Sequence, residues 1–256
     1  MEYVWNSSCY TAVTPDKRAV FIRALCRSQR LATCLIGSSV HQSYIMKQLT
    51  VPFTQELSYD DAISDTSGTL SNQERHVLEC LPWPRYSYKP KVHFTLAHCY
   101  DCIFIKFFIK EKSIRAATSK INGAVWKDTC VEFFISFGEE AYYNLEFNCI
   151  GTILAGYGTS RAGRQPLKDE IIRKIKYCIT ISNVEEDGIY WELTASIPLA
   201  VFDHTPLHSL KARQCKANFS KCGDELDEPH FVSWVPIQAH EPNFHLPAFF
   251  GSLHFQ

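Results

Sequence analysis

VWKDTCVEFFISFGEEAYYNLEFNCIGTILAGYG, residues 125–158, is the stretch whose reading decides the fold. It starts with Trp126 and an acidic turn at Asp128 and then alternates. Val131, Phe133, Ile135 and Phe137 occupy every second position, with Glu132, Phe134 and Ser136 between them. Successive side chains of a strand point to opposite faces, so this spacing predicts a strand with one apolar face. Gly138-Glu139-Glu140 reads as a short turn, and a second alternation comes after it. Tyr143, Leu145, Phe147 and Cys149 lie on one side, Asn144, Glu146 and Asn148 on the other. Two such runs joined by a tight turn predict a hairpin laid over a core.

With the loop at Gly138–Glu140, Glu132 falls directly opposite Glu146. Like charges facing each other across a strand pair are destabilising. The pairing therefore calls for a partner, and a sugar hydroxyl, a cation or a nearby arginine would each serve. The alternative is a shifted register that leaves both carboxylates solvated.

The same periodicity continues outward. Thr152–Tyr157 reads as a strand running into a Gly- and Arg-rich loop, GYGTSRAGRQP, which holds Arg161. Within residues 171–182, Ile175, Tyr177, Ile179 and Ile181 alternate with Lys174, Lys176 and Thr180. In 189–197, Trp191, Leu193 and Ala195 are placed inward, and Glu192, Thr194 and Ser196 outward. Upstream, 92–97 and 103–109 alternate, the second with Lys106 and Lys110 outward. FVSWVPI around Trp234 and the closing FFGSLHF supply two more strands, and Pro198–Phe202 a helical turn. Residues 56–68 read as an acidic surface loop and 71–80 as a short helix capped by Ser71 with Glu74. Trp83, among prolines, reads as a core plug. Closely spaced alternating strands with few short helices predict an all-β, antiparallel β-sandwich.

Composition narrows the function classes. A net charge of −1 over 256 residues gives no electrostatic footprint for nucleic acid. No apolar run is long enough for a transmembrane helix, so no membrane partner is expected. The eleven cysteines are irregularly spaced and read as free or buried thiols of a reducing compartment. Residues 1–45 differ from the rest: Lys17, Arg18, Arg23, Arg27 and Arg30 stand against Glu2 and Asp16, with no secretory pattern. The character of the sequence changes at Met46, where MKQLTVPF opens like a first strand. We therefore expect a weakly anchored or non-native extension over 1–45 and one β-sandwich domain over 46–256. The localisation is left open.

Little else offers chemistry. Cys99-Tyr100-Asp101-Cys102 has the CxxC spacing, but neither a second close pair for zinc nor a βαβ context for redox work, so it reads as a turn. His245 and His254 read as structural histidines. Asp224, Glu225, Asp227 and Glu228 form an acidic loop without EF-hand spacing. No metal set is assembled, and no nucleophile elbow or phosphate loop is present. The one catalytic candidate is the pair Glu132 and Glu146, as the two carboxylates of a glycosidase.

Trp126 is followed six residues later by Glu132, and Trp234 lies in a late aromatic stretch. On VWKDTCVEFFIS, YYNLEFNCIGT, WELTASIP and the closing ANFSKCGDELDEPHFVSWVPI…PNFHLPAFFGSLHF, residues 46–256 resemble the family 9 carbohydrate-binding modules. These belong to the DOMON-like β-sandwiches, and the closing block looks most like the version common in gut-type Bacteroidetes. The resemblance implies a jelly-roll-like sandwich that binds an oligosaccharide or polysaccharide without catalysis. It implies a sugar ring held between Trp126 and Trp234, with Glu132 on its hydroxyls and with Glu146, Asn148 and Arg161 nearby. It also implies a role in glycan utilisation beside glycoside hydrolases. No cofactor is expected, although a structural calcium occurs in some members, and a monomer is expected. A protein-interaction sandwich without sugar binding is the remaining alternative.

Overall fold

The computed structural model describes residues 2–6, 9–13, 19–22, 47–138, 140–184 and 188–256. The chain divides into two units, Met1–Tyr44 and Ile45–Gln256. The first holds an antiparallel sheet of β1 (Glu2–Asn6), β2 (Cys9–Val13) and β3 (Ala19–Ile22), in that order. The weak anchoring expected of 1–45 lies largely outside the described residues.

The second unit begins with β4 (Gln48–Val51), α1 (Ile63–Ser71), β5 (His76–Val77), β6 (Lys91–His98) and β7 (Cys102–Glu111). The predicted hairpin is present as β8 (Cys130–Ser136) and β9 (Tyr142–Asn148). Next come β10 (Ile153–Gly158), β11 (Gln165–Pro166), α2 (Asp169–Ile172), β12 (Lys176–Val184) and β13 (Gly188–Pro198). β14 (Gln214–Cys222), β15 (Phe231–Ser233) and β16 (Gly251–Phe255) close the chain. They build two sheets, one ordered β11-β10-β9-β8-β14-β16-β4 with β15 on β14, the other β12-β13-β7-β6-β5. Every pairing is antiparallel except β16 with β4. No described helix is long and apolar enough to cross a membrane.

The alternation decides which side chains meet. Val131, Phe133 and Ile135 of β8, with Leu145 and Phe147 of β9, join Ile105 and Phe107 of β7 and Trp191 and Leu193 of β13 in one core. At its centre Phe219 stacks on Phe133, centroids 5.1 Å apart at 4°, and on Phe94 at 4.0 Å. Trp191 is fully buried and donates its indole N–H to Glu111 Oε1 at 2.5 Å. The other oxygen of Glu111 lies 3.0 Å from Lys221 Nζ, so a sealed ion pair joins the two sheets.

The outer face of β8 and β9 departs from expectation, because it is not solvated. Phe134, Tyr142, Cys130 and Cys222 pack there under Trp83, Phe231, Phe244 and Phe250. Trp83 plugs this layer, its indole N–H donating to the Ala239 carbonyl at 2.9 Å. The Pro-rich closing segment thus roofs the large sheet, and the polar residues of the hairpin are buried beneath that roof.

Three further expectations change. The helix lies at Ile63–Ser71, where Ile63, Thr66 and Leu70 take i, i+3, i+7 spacing; Ser71 ends it rather than capping a new one. Lys106 does not point to solvent: α1 covers it, and its ammonium reaches Ser67 Oγ at 2.9 Å, Ser71 Oγ at 2.8 Å and Glu192 Oε2 at 2.7 Å. Tyr177 and Ile181, on the apolar side of the 171–182 alternation, are exposed because β12 is an edge strand. The Cys99–Cys102 segment is the expected turn, between β6 and β7.

Candidate functional site

The site grows out of the β8–β9 register. Glu132 pairs directly with Glu146, and Phe134 with Asn144. Because side chains alternate, Glu132, Glu146 and Asn144 share the outer face, where the roof leaves a cleft. Its lining includes Trp126, Glu132, Glu146, Arg161, Arg164, Cys222, Asp224, Phe231, Asn243, Phe244 and His245, and it encloses about 60 Å³.

Trp126 stands at the rim, half-buried on a 3-10 turn, Val125–Lys127, just before β8. That turn is fastened by Asp128, which accepts N–H bonds from Ala117 at 3.0 Å and Thr118 at 2.8 Å and pairs with Arg115. Burial alone would raise the Asp128 carboxyl, but the bonds from Ala117, Thr118 and Asn148 outweigh it and hold the group below its usual range. Asn148 is spent on this fastening: its amide donates to Asp128 Oδ2 at 3.0 Å and to the Thr118 carbonyl at 2.8 Å. It is absent from the cleft lining, contrary to expectation.

Both floor carboxylates are almost sealed, Glu132 at 2% and Glu146 at 1% exposure. Glu132 Oε2 accepts from Asn144 Nδ2 at 3.2 Å and Oε1 from the Cys222 thiol at 3.3 Å. Arg164 Nη1 lies 3.1 Å from Glu146 Oε1 and also donates to Asn144 Oδ1. Glu146 Oε2 has no hydrogen-bond partner among the described residues. Burial first, and then the facing Glu146, push Glu132 up to about 8. Burial likewise raises Glu146, against the pull of Arg164. The two titrate as a pair that keeps a proton near neutrality.

Three neighbours complete the electrostatics. Asp224 sits beside the Trp126 turn, its N–H donating to the Trp126 carbonyl at 3.3 Å, and burial pushes its carboxyl up to about 6 against Arg161. His245 Nδ1 is 3.0 Å from the Tyr142 hydroxyl; burial, with Arg164 and Arg161, lowers it to about 3, so it is neutral. Arg161 is exposed at the rim. Arg164 reaches the floor because its loop folds tightly back on β10. A Cβ on Gly158 would lie 2.5 Å from Arg164 Cα, so only glycine permits that approach.

Trp234 is the main correction. It is 2% exposed in the central core, edge-on to Phe219 at 5.5 Å and Phe94 at 6.2 Å, and it does not line the cleft. Alternation explains this: Val232 and Trp234 share the core face, and Phe231, an odd number of positions away, faces the roof. The aromatics at the cleft besides Trp126 are therefore Phe231 and Phe244, each held edge-on by Trp83 at 5.9 and 5.4 Å. Of the residues expected at the site, the structure brings Trp126, Glu132, Glu146 and Arg161 together around one cleft. Sequence reading passed over Arg164, took Asp224 for a solvated loop residue and His245 for a purely structural one. The alternation in FVSWVPI could have found Phe231; nothing local marks Arg164.

Glu132, Glu146 and His245 offer ligand atoms within 4.8 Å of one another. Two carboxylates and an imidazole do not make the six- to eight-oxygen shell that calcium takes. The charge partner in place is a guanidinium. The carboxylates also lie side by side on one floor, whereas a glycosidase pair flanks the scissile bond, about 5–9.5 Å apart.

Comparison with known proteins places this geometry in context. The family described as carbohydrate-binding family 9 matches residues 67–255. A candidate carbohydrate-binding protein from Bacteroides uniformis, of known structure, is 37% identical, with a TM-score of 0.75 over 82% of this chain and 100% of its own. Two structures of a family 9 carbohydrate-binding module from Caldicellulosiruptor kristjanssonii share the fold at 10% and 11% identity, each over 82% of this chain. The one in complex with glucose has a TM-score of 0.51 over 96% of its chain, and the one with cellotriose 0.55 over 94%. No curated protein matches.

Proposed function

The chain belongs to carbohydrate-binding family 9, and on that premise we propose that it binds a neutral sugar in the cleft of Trp126, Glu132 and Glu146, without turning it over. The observation that carries this reading is Glu146 Oε2, a carboxylate oxygen buried on the cleft floor with no hydrogen-bond partner among the described residues. A buried acceptor left unpaired costs about 1–3 kcal/mol, more when charged, and a ligand hydroxyl would recover that cost.

Sugars present apolar C–H faces and a rim of hydroxyls. The first pack on aromatic rings and the second need a few aimed polar groups. Trp126 and Phe244 offer the rings. Glu146 and Asp224 accept, Arg161 and Arg164 donate, and Asn243 does either. With one proton on the Glu132–Glu146 pair, two acidic charges meet two guanidinium charges, a balance that suits an uncharged ligand. The enclosed 60 Å³ is below the about 300–1,000 Å³ of a site that engulfs a ligand. It takes the edge of a ring, with the rest of the sugar lying in the mouth against Trp126. We place the protein in glycan utilisation, as the binding partner of enzymes that cut the same glycan.

Calorimetry with glucose, cello- and xylo-oligosaccharides, alongside hydrolysis assays on the same sugars, tests the proposal. Saturable binding without turnover is expected. Turnover blocked by Glu132→Gln would instead assign the pair to glycoside hydrolysis.

A further inference from the structure

Two cysteines meet beside the cleft floor. Cys130 begins β8 and Cys222 ends β14, and the ladder sets them directly opposite each other. Facing residues of an antiparallel pair have Cα atoms about 4.5 or 5.5 Å apart, according to their place in the hydrogen-bond pattern. Both separations fall within the about 4.4–6.8 Å that a disulfide spans. Both thiols are free and buried. They are not equivalent, because Cys222 lines the cleft and Cys130 does not. Cys222 Sγ also lies 3.3 Å from Glu132 Oε1, so that carboxyl can take the thiol proton once it has lost its own.

We propose that Cys130 and Cys222 are a redox-active pair, closed into a cross-strand disulfide by small disulfides entering the cleft. Cys222 acts first. In molecules whose Glu132 is ionised, a fraction that grows as pH rises through about 8, the thiol proton passes to that carboxylate, and the sulfur attacks one sulfur of the small disulfide, breaking that S–S bond and releasing a thiolate that takes up the proton. Cys130, losing its own proton, then attacks the Cys222 sulfur of the mixed disulfide and expels the second small thiol. Two protein thiols and one small disulfide become one protein disulfide and two small thiols, so the small disulfide is the oxidant. The neighbouring Cys130 and burial hold Cys222 well above the ordinary thiol range, and burial holds Cys130 at about 12. Both thiols therefore stay protonated until a reagent meets the ionised form of Glu132.

Closure has a consequence for the ligand, which rests on the function proposed above. The disulfide removes the thiol proton donated to Glu132 Oε1, leaving that carboxylate with Asn144. Sugar affinity falls, and a bound sugar in turn shields Cys222.

The test treats the whole native chain with 2-hydroxyethyl disulfide, followed by non-reducing peptide mapping. A Cys130–Cys222 cross-link reversed by dithiothreitol is expected. In Cys130→Ser the small adduct stays on Cys222, and in Glu132→Gln the exchange slows by about tenfold or more. A native wild type in which Cys222 stays unmodified, or keeps the adduct without cross-linking, overturns the pair. Repeating the reaction with saturating cellotriose separates the two readings. Slower cross-linking supports both, whereas unchanged cross-linking counts against sugar in this cleft and leaves the thiol pair standing.

Discussion

Glu132 and Glu146 face each other in the β8–β9 ladder with at most 2% exposure, and Arg164 contacts the pair, 3.1 Å from Glu146. Two buried like charges are kept together because one holds a proton and the other a guanidinium. That arrangement gives stability a pH dependence. Burial, then Glu146, raises Glu132 to about 8, while an unfolded glutamate titrates near ~4.3. Between those values the native state holds the extra proton. The group's contribution to stability is therefore full below about pH 4.3 and is lost as pH rises through 8.

Other groups overlap with this window. Asp224, raised by burial to about 6, acts in the same sense, while His245 and His230, lowered to about 3 chiefly by burial, act oppositely below about pH 6.5. Comparing wild type with Glu132→Gln isolates the glutamate. Thermal melts from pH 6 to 9 should show the wild type losing more stability than the variant. Parallel curves would mean that Glu132 titrates like an exposed carboxylate.

Removing the guanidinium should be costly. Breaking a buried ion pair by deleting one partner costs about 3–5 kcal/mol. Arg164 is 15% exposed, which puts Arg164→Met toward the lower end of that range. Urea unfolding measures it, with Arg164→Met/Glu146→Gln expected to recover part of the loss. A cost below about 1 kcal/mol, as for a surface pair, would contradict the geometry.

The two kinds of aromatic residue should separate cleanly. Trp234 lies in the core, so Trp234→Ala should cost about 3–5 kcal/mol of stability and leave the folded fraction's sugar affinity unchanged. Phe244→Ala, at the cleft wall, should weaken the sugar by more than about 1 kcal/mol. Titration and melting of both variants decide the matter, and the reverse pattern would restore Trp234 as the ring partner.

Much of this was legible in the chain itself. A period of two over residues 131–148 gave the hairpin, its register and therefore the carboxylate pair, since a one-residue slip would turn every side chain over. The roof was not legible. Whether Glu132 meets water or protein depends on residues 231–250, about a hundred positions later and without periodicity of their own. Trp234 misled because a family spacing was matched by residue type, while the alternation of Val232 and Trp234 already placed it inward. Arg164 depends on a glycine-permitted fold-back at Gly158, which leaves no local pattern.

Residues 1–45 differ in composition from residues 46–256, and we propose that they add little to the β-sandwich. A chain starting at Met46 should melt within a few degrees of the full one. Loss of cooperative melting, or a drop of many degrees, would show that the segment is an integral part of the domain.

On the function proposed above, the cleft of Trp126, Glu132 and Glu146 holds the sugar. The most direct measurement is calorimetric titration of wild type and Trp126→Ala with the tightest ligand from a panel of neutral oligosaccharides. Saturable binding at one site is expected of the wild type. A loss of about 2 kcal/mol or more is expected in the variant, roughly thirtyfold, with the melting curve nearly unchanged. A wild type that binds no sugar on the panel, or a variant that binds as well as the wild type, would contradict it.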